Sequence, residues 1–178
     1  MANVFESTNM ASTHYAERIF DAVCNVDVEN GTFGYLEGLA DGYSHIYNFK
    51  AGVKEGEFVV VSDQPAWSED TSRMTNQRKD NFVIKAGTPF RVRVVKKNDE
   101  FAISAEGFTP ATMEAADKDK YVTIDESGKL AVANAPVDGA VMNGKIMRTR
   151  VMGGIVQTAV RDYGYSRKMY EIKVETLA

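Results

Sequence analysis

The chain of 178 residues is 44% hydrophobic and 26% charged, which fits one substantial domain, with or without an arm, and excludes global disorder. Its single cysteine, Cys24, excludes an intrachain disulfide framework or a multi-thiolate zinc site, and no apolar run outlasts Phe58–Val61, far short of the roughly 20 residues of a membrane-spanning helix. The net charge of −4 is segregated: residues 1–70 hold 3 Lys/Arg against 12 Asp/Glu, a balance of −9, and residues 71–178 hold 18 against 13, a balance of +5.

Residues 1–14 are polar and aperiodic apart from Val4, Phe5 and Met10, which predicts an N-terminal arm, with no basic stretch leading into an apolar one as a secretory signal requires. Ser12 or Thr13 can cap a short helix with Tyr15, Ile19, Phe20 and Val23 on its apolar side; the alternative is that Ala16–Val23 enters a strand directly. Asn30-Gly31, lying between VDVE and TFGYLEG, predicts a hairpin turn. Strands are predicted over Ser44–Phe49 and Glu57–Val61, followed by a long loop, Ser62–Lys79, that carries Trp67.

Asn81–Ser104 reads as strand, turn, strand, tight polar turn, strand. Within it Phe90, Val92 and Val94 alternate with Arg91 and Arg93, the period-two pattern of a sheet with one buried and one wet face. Thr109–Asp119 is a second short helical candidate. KYVTIDESGKLAVA predicts a hairpin across Asp125–Gly128. Strands Gly144–Met152 and Ile155–Val160 flank Gly153-Gly154, and Met169–Thr176 closes the chain as a strand with Tyr170, Ile172 and Val174 on one face. The fold class is all-β: a single compact β-barrel or β-sandwich of about nine to eleven short strands, with at most one or two short helices. The arm spans 1–14, and one β-rich domain spans 15–178 with its long loop at about 62–79.

Little in the chain carries chemistry. His14 and His45 are the only imidazoles, no GxSxG elbow displays a serine, and neither GxGxxG nor GxxxxGK[ST] occurs. Asp27–Gly31 resembles the start of a calcium loop but lacks the full ligand spacing. The acid pairs Glu69-Asp70, Asp99-Glu100, Asp117 with Asp119, and Asp125-Glu126 fall in predicted turns, where solvation and Asx-turns explain them. No enzyme activity, catalytic residue, metal or cofactor is therefore expected. Arg73, Arg78, Lys79, Lys85, Arg91, Arg93, Lys96 and Lys97 cluster with Asp80 as the only acid among them. Such a field suits phosphates or an acidic protein surface. The acidic chain and the missing RNA-stacking aromatic signature favour protein.

The MANVFE start, FVIKAGTPFRVRVV, YVTIDESGKLAV and the closing GYSRKMYEIKVETLA together resemble small structural proteins of tailed bacteriophages, in particular capsid decoration or cement subunits. The resemblance implies a non-enzymatic virion protein on the capsid exterior, assembled in the host cytoplasm. Its partners would be the major capsid protein and further copies of itself in a small homo-oligomer, without membrane or direct nucleic-acid binding. Arm-like and loop-like position then marks Val4, Phe5, Met10, Tyr15, Trp67, Arg73, Arg78 and Lys79 as the expected contact residues. The alternative is a carbohydrate- or host-surface-binding module, with Trp67 and Tyr163 or Tyr165 as sugar platforms, or another small head or tail component.

Overall fold

Runs of β-branched and aromatic residues bounded by turns form thirteen strands among the residues that the computed structural model describes, namely 2–14, 18–54, 56, 58–63, 82–152 and 167–177. In chain order they are β1 (Phe5–Asn9), then, after a one-turn helix α1 (Ala11–His14), β2 (Ile19–Val23), β3 (Val28–Glu29), β4 (Phe33–Leu39), β5 (Ile46–Ala51) and β6 (Val59–Val61). There follow β7 (Val83–Ile84), β8 (Phe90–Val94), β9 (Glu100–Ser104), β10 (Tyr121–Ile124), β11 (Leu130–Ala133), β12 (Met142–Met152) and β13 (Arg167–Leu177).

Five of them close a barrel in the order β2-β5-β4-β6-β8, with β8 returning to pair with β2. Six form a sheet in the order β1-β9-β13-β12-β10-β11, and β3 pairs with β7 apart from both. The fold is thus all-β, as the patterning predicts, with barrel and sheet both present.

One apolar cluster packs the barrel against the sheet, and a second fills the barrel itself. In β6 the side chains alternate between two clusters: Val59 and Val61 point into the barrel with Phe49, Phe90, Val92 and Val94, whereas Val60, with the preceding Phe58, packs against the sheet. This strand is buried on both faces, so its sequence is continuously apolar. The barrel is narrow enough to be filled by side chains, with the Phe49 and Phe90 rings edge-on at 5.5 Å. Gly34 belongs to this packing, because a Cβ there would run into the Phe49 ring and the Lys50 carbonyl. Between barrel and sheet, the Phe33 and Phe101 rings pack tilted at 5.5 Å, and both are fully buried. Burial of each ring contributes about 2–3 kcal/mol. The Phe33 amide also donates to Gly128 O at 2.8 Å, at the turn of the β10–β11 hairpin. Gly128 has φ +77°, and a Cβ on it would strike the Phe33 carbonyl, so glycine is what allows this close approach.

Several expectations change. Residues 2–14, the described part of the expected arm, are not free: β1 pairs antiparallel with β9, and Val4, Phe5 and Met10 are buried in the chain's own cores. Among the described residues the N-terminal helix covers Ala11–His14, residues 15–17 lie outside them, and Ile19, Phe20 and Val23 lie on a strand, where β2 finds partners on both sides in β5 and β8. Asn30-Gly31 turns the chain but makes no hairpin. β3 pairs with β7 and β4 with β5 and β6, while the Asn30 side chain is committed to the backbone of Asp63.

The stretch Asn81–Ser104 is not a continuous meander either. β8 belongs to the barrel and β9 to the sheet, because Val94 is buried inside the barrel and its neighbour Val95 in the core between the layers. The tight turn that changes layers is held by Asp99, whose carboxylate accepts from the amides of Lys96 and Ala11, both at 2.8 Å. Thr109–Asp119 contains only a 3-10 turn, Met113–Ala115. The β10–β11 hairpin and the β13 face of Tyr170, Ile172 and Val174 stand as expected. Residues 64–79 of the long loop and the strand expected over Ile155–Val160 lie outside the described residues.

Candidate functional site

The end strand of the sheet, β1, is fastened at both ends. The Asn3 amide donates to Glu29 Oε2 at 2.9 Å, the Asn3 side-chain amide to Asn30 O at 2.7 Å, and Arg167 Nη1 to Ala2 O at 2.7 Å. The Val4 amide donates to the buried Ser104 hydroxyl at 3.0 Å, and Val4 O accepts from the Ser104 amide at 2.9 Å. At the far end Met10 is fully buried and Ala11 is tied to Asp99. One long edge of β1 is occupied by β9; the other has no strand partner among the described residues.

Along that open edge runs a cleft of about 500 Å³. Val4–Thr8 form one wall, the barrel side contributes Asn30, Ser62, Asp63, Arg91 and Arg93, and Arg150 reaches in from β12. Arg91 and Arg93 share the outward face of β8, opposite the buried Phe90, Val92 and Val94, which is why they project together. Arg93 is half-buried, donating to Ser62 Oγ at 3.3 Å and to Ser12 O at 3.1 Å. Burial, and then the positive charge of Arg91, pull its pKa down from the usual arginine value. Arg91 is exposed, and neither guanidinium has a carboxylate partner among the described residues.

The third arginine is neutralised. Arg150 bonds Glu6 at 2.5 Å and Glu171 at 2.8 Å, and Glu171 also pairs with Arg148. The Arg148 hydrogen bond in particular holds the Glu171 carboxyl below the usual carboxylate range. In the strand register Ala102 lies between Glu6 and Glu171, and its small side chain leaves the space across which Arg150 spans. Beneath this ion network Val4, Ala102 and Met169 form a small apolar cluster on what is otherwise the polar face of the sheet.

The expected contact residues divide in two. Val4 (2% exposed), Phe5 (9%) and Met10 (0%) are core residues rather than free docking side chains, because β1 completes the sheet. Tyr15, Trp67, Arg73, Arg78 and Lys79 lie outside the described residues, as do Tyr163 and Tyr165. The outward Arg91 and Arg93 were visible in the alternation; the cleft they face was not, since its opposite wall comes from residues 4–8. Lys96 and Lys97 do not prolong their row, because the chain has already turned toward the sheet.

Elsewhere the acids serve the fold. Asp27 binds Lys85 Nζ at 2.7 Å and the Ala86 amide at 3.0 Å. Asp125 accepts from the Ser127 hydroxyl and amide, the Lys129 amide and the Thr109 hydroxyl. Burial pushes its pKa up, but these donors together bring it below the ordinary aspartate value. His14 and His45 are exposed, with His45 Nδ1 at 3.3 Å from Ser44 Oγ. Among the described residues no three His, Cys, Asp or Glu side chains converge as metal ligands. No protein-family model, curated protein or solved structure matches the chain.

Proposed function

We propose that this is a non-enzymatic virion structural protein that binds the outer surface of a bacteriophage capsid and stabilises the shell. The observation that carries the reading is the edge of β1 that has no strand partner among the described residues, set in a cleft with Arg91 and Arg93, which have no carboxylate partner among those residues. An unpaired strand edge offers backbone donors and acceptors that suit another polypeptide, and flanking cations add complementarity to an acidic protein surface. The surrounding body suits a cement. The shared core of barrel and sheet gives a stiff unit that can bridge neighbouring subunits without deforming, so that many modest contacts sum. On this reading the partner is the major capsid protein, and copies of the chain cluster as small homo-oligomers on the capsid exterior.

The test is co-sedimentation of the purified protein with expanded shells that lack it, followed by thermal disruption of the loaded shells. Saturable binding and a raised disruption temperature are expected. Failure to bind such shells refutes the proposal.

A further inference from the structure

The open edge of β1 can be resolved to individual backbone groups. Val4 O accepts a ladder bond from the Ser104 amide, so the alternation of an antiparallel pair turns the backbone of Val4 and Glu6 toward β9 and that of Phe5 and Ser7 toward the cleft. The register irregularity of β1 lies beyond Ser7 and leaves this stretch regular. Across the cleft, Arg91 and Arg93 stand two residues apart on β8, a spacing of roughly 7 Å along a strand. An extended peptide laid against β1 has the same two-residue period. Its backbone can pair with Phe5 and Ser7 while every second side chain points toward the arginines.

Resting on the reading of this cleft as a protein-docking surface, we infer that it accepts an extended acidic segment of a partner protein as an added strand on β1, with alternate carboxylates paired to Arg91 and Arg93. A nucleic acid fits the same walls less well. Its phosphates could meet the guanidiniums, but a phosphate backbone carries no N–H donors for the carbonyl groups at the β1 edge. A peptide supplies N–H donors for those carbonyls.

The test uses the whole chain and a fluorescently labelled peptide that alternates Asp and Thr, read by anisotropy at low salt. Saturable binding is expected, weakened at least about tenfold when alternate peptide amides are N-methylated, and by a similar factor in Arg91→Glu. The N-methylated peptide probes the edge pairing on unaltered protein, so the test does not depend on the variant folding. The inference is overturned if N-methylation leaves affinity unchanged, if single-stranded oligothymidylate binds more tightly and displaces the peptide, or if no saturable binding occurs. Shell co-sedimentation separates the two claims. A protein that sediments with shells but ignores the peptide loses this inference and keeps the shell reading, and the opposite pair of results does the reverse.

Discussion

Replacement of Ser104 by alanine tests whether the start of the chain is part of the fold. Ser104 is fully buried and Val4 is 2% exposed, so water cannot take over the role of the hydroxyl. That hydroxyl accepts from the Val4 amide and bonds Asn3 Oδ1 at 3.0 Å and Glu106 Oε2 at 2.6 Å. The Ala variant leaves the Val4 amide as a buried donor without an acceptor, which costs about 1–3 kcal/mol. For a chain of this size that corresponds to a fall in Tm of roughly 2–4 °C per kcal/mol.

Urea titration gives the free energy, and amide exchange at Val4 gives the location. Ser127→Ala serves as the control, since its hydroxyl bonds Asp125 in an exposed turn and its loss is expected to stay within about 0.5 kcal/mol. A Ser104→Ala protein as stable as wild type, with Val4 still protected from exchange, refutes the anchoring of β1 and with it the fixed wall of the cleft.

Val60→Ala removes two methyl groups from the core that barrel and sheet share, at an expected cost of about 1–3 kcal/mol. One cooperative unfolding transition should persist at a lower midpoint; a split into two transitions would contradict the shared core. Asp125 titrates in the folded state below its ordinary value, so the stability it contributes is full above the unfolded pKa near 3.8 and is lost as pH falls through the folded value. The stability gap between wild type and Asp125→Asn should therefore hold steady at neutral pH and close below about pH 4. A gap that stays constant into acid contradicts the hydrogen-bonded carboxylate.

What the sequence revealed was local. The alternation of Phe90–Val94, the Asp125–Gly128 turn and the two faces of the last strand all depend on neighbouring residues, and each is present. What it concealed was the choice of partner. The tight turn after β8 looks like a hairpin, but Val94 and Val95 serve different cores, and nothing within a few residues says so. Polar neighbours disguise Val4, Phe5 and Met10 as an arm. Their burial follows from docking on β9, about a hundred residues away in sequence for Val4 and Ser104. Asp99 looks like a solvated turn acid yet is 3% exposed, because the amides it caps come from Ala11 as well as Lys96. Half of the cleft was legible for the same reason. Arg91 and Arg93 declare an outward face, whereas the Glu6–Arg150 pair joins residues 144 apart and leaves no local signal.

Electron cryomicroscopy of phage heads assembled with this chain locates it on the particle. Its density is expected on the outer surface of the shell, with the β1 edge, Arg91 and Arg93 against a capsid subunit. Density inside the head or at the tail, or on the exterior with the cleft open to solvent, would contradict it.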